Sequence, residues 1–169
     1  ISEYRLDAEE KTGRVIATVQ HGDGGDFRHL LRDPKKGTWT QFSDFGDGIK
    51  HAGFGKKGEL LIVSRADAPR GKLMTLSAKH LGKREPKVLV PEGEDTIVTS
   101  FWSDSTVRRI GDRIFVLYQT GGPSELRVFD GKGRAKPSPA QLPVSAVSSP
   151  HEFEGKLLFS NGSYVEPRA

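Results

Sequence analysis

GELLIVSR, Gly58 to Arg65, is a glycine-led turn running into a short apolar strand, and it has three companions: GRVIATVQ from Gly13, GDRIFVLY from Gly111 and GKLLFSNG from Gly155. Their starts lie 45, 53 and 44 residues apart. A period of that size matches a four-stranded propeller blade of roughly 40 to 50 residues. Helical repeats of similar period need amphipathic stretches of about ten residues with i, i+3, i+4 spacing, and the chain has none.

Four strands, lettered A to D from the inner edge of a blade outward, fit each period. The first holds ISEYRLD, RVIATVQ, DFRHLLR and TWTQFS; the second holds IKHAGF, ELLIVSR, KLMTLS and PKVLV. The third holds TIVTSFW, RIFVLY, ELRVFD and a strand near PAQLP. In the fourth, strands around VSAVSS and at KLLFSN are followed only by GSYVEPRA. The expected fold is therefore all-β, a partial β-propeller of about three and a half blades of four-stranded antiparallel sheets. Blades are expected at 1–48, 49–95 and 96–143, with an incomplete one at 144–169. A chain that begins without Met and stops inside a repeat is expected to be part of a longer protein, and its exposed blade edges predict self-association.

Composition narrows the function classes. Hydrophobic residues at 34% and charged residues at 28% describe a folded, surface-rich domain rather than a disordered segment. The absence of cysteine excludes disulfides, thiolate metal sites and a cysteine nucleophile. Apolar runs are only strand-length, so no membrane association is expected; composition assigns no compartment beyond a soluble protein of cytoplasm or periplasm. The net charge of +4 does not predict a nucleic-acid partner. Lys35-Lys36, Lys56-Lys57 and Lys83-Arg84 each sit in a turn-like segment with Asp33, Glu59 or Glu85 nearby.

The chemistry-bearing residues form no catalytic constellation. No Gly-x-Ser-x-Gly elbow occurs, and Ser124 and Ser163 lie between strands without the flanking glycines such a nucleophile needs. The five histidines are scattered. His21, Asp23 and Asp26 in HGDGGD offer weak nitrogen and oxygen ligands, but the position where a calcium loop needs a bidentate Glu holds Arg32, so no metal and no cofactor are expected. Phe42, Phe54, Phe101, Trp102, Phe115 and Phe129 read as core between blades.

The ordered run VQHGDGGDF, LIVSRADAPRGKL, KVLVPEGEDTI, YQTGGPSELRVFD and SNGSYVEPRA resembles the propeller of prolyl oligopeptidase-type serine peptidases, toward its C-terminal half. In that family a propeller caps an α/β-hydrolase domain, and short peptides are cleaved after proline in the cavity between them. The resemblance implies a noncatalytic chain whose partners are the hydrolase domain and short peptide substrates. Propeller topology puts the B-to-C loops and D-to-A connections on one face. Arg65, Asp67, Arg70, Glu166 and Arg168 on that face are the candidates for docking the hydrolase or lining the cavity. A propeller interaction module without any hydrolase is the alternative. A carbohydrate-active propeller would need paired inward carboxylates, and no such pair is identifiable.

Overall fold

Residues 2–102 and 106–165 are described by the computed structural model. The glycine-led repeats build four sheets in chain order. β1 (Ser2–Glu9), β2 (Arg14–His21), β3 (Phe27–Arg32) and β4 (Trp39–Ser43) pair sequentially and antiparallel, as do β5 (Ile49–Phe54), β6 (Glu59–Ser64), β7 (Lys72–Ser77) and β8 (Lys87–Val90). In the third sheet β9 (Thr96–Ile97) and β10 (Val107–Ile110) both pair with β11 (Arg113–Gln119), followed by β12 (Ser124–Asp130) and β13 (Ala135–Lys136). β14 (Ser145–Phe153) and β15 (Lys156–Ser163) form a two-stranded sheet. A single 3-10 turn at Ala78–His80 is the one helical element among the described residues. The chain is thus all-β, with the layout of a partial β-propeller.

The repeated glycine has a conformational reason. Gly13, Gly58, Gly111 and Gly155 have φ of 70°, 79°, 58° and 73°, the left-handed region that turns an inner strand back into its neighbour at no side-chain cost. Each hairpin then lays an apolar strand B into the stack. Alternate residues of β6 face opposite ways: Leu60 and Ile62 pack with Ile16 and Leu31 of the first sheet, and Leu61 and Val63 with Ile114 and Val116 of the third. A third core joins Leu117 and Leu126 to Val147, Leu157 and Phe159. Arg109 of β10 reaches back across the second interface to Glu59 at 2.9 Å.

Two expected strands differ. TIVTSFW is strand only at Thr96–Ile97, because Leu117 spends both its backbone groups on residues eight apart: its carbonyl accepts from the Val98 amide at 2.9 Å and its amide donates to the Thr106 carbonyl at 2.8 Å. Residues 99–102 leave the sheet, and the inner strand resumes as β10. The outer strand of the third sheet is β13 rather than PAQLP. Pro137, Pro139 and Pro143 have no amide hydrogen to give a ladder. The Gln141 side chain does that work instead, accepting from the Leu126 amide at 2.7 Å and donating to the Leu126 carbonyl at 3.0 Å.

One close approach sets how tightly the second and third sheets meet. Gly133, at φ 78°, turns β12 toward β13 directly over β8, and a β-carbon on it would lie 1.9 Å from the Leu89 carbonyl oxygen. Gly133→Ala is expected to destabilise the fold by about 2 kcal/mol or more, from overpacking added to left-handed strain. Gly82→Ala carries a similar φ of 70° with nothing within 4 Å, so it is expected to cost about 1 kcal/mol. Urea-denaturation midpoints of the two variants check this; equal losses would refute the steric account.

Candidate functional site

The inner strands of all four sheets converge on one space. Residues 7–11, 53–55 and 107–109, with Glu152, Glu154 and Gly155, line a cleft of about 580 Å³ at the end where strands A turn into strands B. Its wall holds the carboxylates of Asp7, Glu9, Glu10, Glu152 and Glu154 and the cations of Lys11, Arg108 and Arg109. This mouth is polar and of mixed sign, as the solvated inner edges of stacked sheets should be.

Further along the inner rim, the excursion from the third sheet crosses to the first. Arg5 of β1 donates from Nη1 to the Ser100 and Phe101 carbonyls at 3.4 and 3.1 Å. The Phe101 ring stacks on Phe27 at 5.8 Å with an interplanar angle of 4°, and Trp102 meets Phe101 edge-on at 4.8 Å and 81°. Phe101 is buried, whereas Trp102 is 77% exposed. Residues 98–102 therefore form a strap that links the third sheet to the first past the second, which packs between them.

Beneath this end of the stack lie two buried histidines. His29 of β3 shares a 2.7 Å hydrogen bond between Nδ1 and Ser43 Oγ, while His29 Nε2 and both ring nitrogens of His51 have no hydrogen-bond partner among the described residues. Burial, with His51 and Arg5 nearby, pushes His29 from 6.5 down to about 3. Burial, with Arg5 and Arg108 nearby, does the same to His51. Both imidazoles are neutral, apolar-packed parts of the first interface at ordinary pH.

Of the rim candidates singled out from sequence, Arg65, Asp67 and Arg70 lie at the opposite rim from the cleft. Arg65 follows β6 and its amide donates to the Gly48 carbonyl at 2.7 Å. Asp67 is exposed in the next turn at φ 51°. Arg70 ties its loop to the connection between the second and third sheets, its amide donating to Glu92 Oε1 at 2.6 Å and its Nη1 to the Glu94 carbonyl at 3.0 Å. Beyond it, Arg127 pairs with Asp95 and Glu125 and lies 4.4 Å over the Tyr118 ring. Glu166 and Arg168 lie outside the described residues. His21 contacts Ser2 Oγ at 3.3 Å and Asp26 pairs with Lys50 at 3.0 Å; among the described residues no group of three or more His, Cys, Asp or Glu is placed to hold a metal ion. Ser124 Oγ accepts from the Val147 amide at 2.9 Å, joining the third and fourth sheets.

Sequence reading missed Arg5 and the strap, and it left the histidines scattered rather than bringing His29 and His51 together. TSFWSDS carried the signal for the strap: its polar, turn-forming residues interrupt an otherwise apolar inner strand.

The family model for the prolyl oligopeptidase N-terminal β-propeller domain matches residues 18–169. Among solved structures, the chain is similar to one from an analysis of two prolyl endopeptidases and the role of inter-domain dynamics in their catalysis and specificity. The TM-score is 0.76 at 16% identity, over 98% of this chain and 27% of that one. Prolyl oligopeptidase B from Galerina marginata, bound to a 35mer hydrolysis and macrocyclization substrate, gives 0.73 at 12%, over 99% and 25%. Oligopeptidase B from Trypanosoma brucei with covalently bound antipain gives 0.66 at 13%, over 87% and 21%. At these identities the likeness is one of fold, and the chain spans about a quarter of the length of these proteins. No curated protein matches by sequence.

The buried imidazoles have a measurable consequence. Between pH 6.5 and about 3 the unfolded chain binds protons that the folded chain refuses, so their contribution to stability is intact above pH 6.5 and is lost as pH falls below it. Each group adds a slope of up to about 1.4 kcal/mol per pH unit. His51→Leu is expected to remove one such share from the slope of unfolding free energy against pH. An unchanged slope in a folded variant would rule out a neutral buried His51.

Proposed function

The chain belongs to the prolyl oligopeptidase N-terminal β-propeller family, and from that membership we propose that it is the noncatalytic cap of a serine peptidase, restricting a hydrolase active site to short, proline-containing peptides. The observation that carries this reading is the convergence of the four inner strands on one cleft of about 580 Å³. An extended peptide of a few residues suits such a space, whereas a folded domain of 100 residues has a radius of gyration of roughly 13 Å. On this reading each sheet is one blade, and the rim carrying Arg65, Asp67 and Arg70 faces the hydrolase, beside the connections through which a flanking domain would be joined. Hydrogen bonds from the Arg70 amide to the Glu92 carboxylate and from its guanidinium to the Glu94 carbonyl stiffen that rim for docking.

The test uses the full-length protein that contains this chain. A serine-reactive phosphonate is expected to label a residue outside residues 1–169, and a proline-containing octapeptide to be cleaved while the same sequence inside a folded domain is spared. Labelling of Ser124 or Ser163 would overturn the noncatalytic role. Equal cleavage of the free and folded sequences would overturn the size restriction, and binding without cleavage would make the protein a peptide-binding module.

Exposed edges support a second property, self-association of the chain by itself. β15 pairs only with β14 among the described residues, and Phe153, Leu158 and Tyr164 are exposed around that sheet, as are Tyr4 and Leu6 on β1. Unpaired edges and bare apolar faces favour pairing with a second chain. Light scattering over a dilution series is expected to give a mass that rises with concentration and falls when further blade strands are supplied. A monomer at every concentration would refute it.

A further inference from the structure

Trp102 stands apart from the other aromatics that the sequence assigns to the core between blades. The other five aromatics expected in the core are buried or partly buried: Phe101 within the strap, its ring on Phe27, and Phe42, Phe54, Phe115 and Phe129 between sheets. Of these six, Trp102 alone presents most of its surface outward, and it does so where an inner strand of the third sheet is interrupted.

Exposure here does not mean looseness. The Phe101 ring beneath Trp102 is clamped on Phe27, the two preceding carbonyls are held by the Arg5 guanidinium, and the Trp102 amide donates to Ser100 Oγ at 3.2 Å. The strap thus fixes its backbone at three points and sets the indole edge-on to a buried ring. An indole held in this way offers a flat, polarizable face at little further entropic cost, and such faces bind proline rings and aromatic side chains. Its N–H adds one donor.

We propose that Trp102 is a peptide-contacting, specificity-determining residue of the inner rim, stacking on a proline or aromatic side chain of a peptide that occupies the space between the propeller and its partner domain. The inference rests on the reading above that peptides enter that space. It adds the residue that selects among them and the side-chain class selected. Arg5 and Phe101 are positioning residues for the indole.

The experiment compares wild type, Trp102→Ala, Trp102→Phe and, as control, Trp39→Phe on the outermost strand of the first sheet, all in the full-length protein. Two measurements are made: the Kd of a fluorescent octapeptide bearing Phe and Pro with a reduced, uncleavable central amide, and kcat and KM for its cleavable form. Trp102→Ala is expected to raise Kd and KM about three- to tenfold with kcat nearly unchanged, the range of one aromatic contact. Trp102→Phe should recover most of the loss, and an octapeptide with Ala in place of Phe and Pro should be insensitive. Unfolding midpoints confirm that the variants fold. Unchanged Kd in a folded Trp102→Ala variant, or equal loss for both peptides, overturns the inference while leaving the peptidase reading intact. Binding without turnover in wild type defeats the peptidase reading, and the Trp102 contact is then decided by Kd alone. A wild-type protein that neither binds nor cleaves the peptide defeats both.

Discussion

The second sheet has no face of its own to show water. Leu60 and Ile62 belong to the interface with the first sheet and Leu61 and Val63 to the interface with the third, so four consecutive side chains of one strand serve two cores. Burying residues of this size stabilises by about 1.5–3 kcal/mol each relative to exposure. Because alternate residues point to opposite sides, a one-residue slip of β6 would exchange the two sets and misfit both neighbours. The register of the middle sheet is therefore set from both sides, and the positions of Arg109 on Glu59 and of Gly133 over Leu89 follow from it.

That double burial is also why the architecture was legible. ELLIV, RIFV and RVIA are short apolar runs behind a glycine, the pattern a strand acquires when both faces are covered, and their spacing set the period. What was not legible depended on tertiary partners. TIVTSFW has strand composition throughout, and only the hydrogen bonds of Leu117 and the reach of Arg5 from another sheet decide that Ser100 to Trp102 leave the ladder. Gln141 takes a strand's place on Leu126 with one side chain, which no periodicity encodes. His29 and His51 sit 22 positions apart in sequence, and their shared interface becomes visible only once β3 and β5 are packed.

The candidate residues of the loop rim show the same division. Topology alone placed Arg65, Asp67 and Arg70 on the face shared by the B-to-C loops and the connections between sheets. The structure adds that the Arg70 guanidinium donates to the Glu94 carbonyl and lies 3.9 Å from the Glu92 carboxylate, so its charge is spent partly within the chain. Asp67, exposed on a left-handed backbone, keeps its carboxylate turned to solvent.

The strap carries a consequence for the order of assembly. Each sheet is built from contiguous hairpins whose closing loops span a few residues, so every sheet can form from local contacts alone. The bond from Arg5 to the Phe101 carbonyl joins residues 96 positions apart. Closing a flexible loop of that length rather than one of about four residues costs roughly 2.5–3 kcal/mol more in chain entropy. That cost shrinks once the intervening sheet has stacked and shortened the free path between the two groups. Docking of the strap is thus expected as a late event, a latch that closes over sheets already in place and slows their separation more than it speeds their folding.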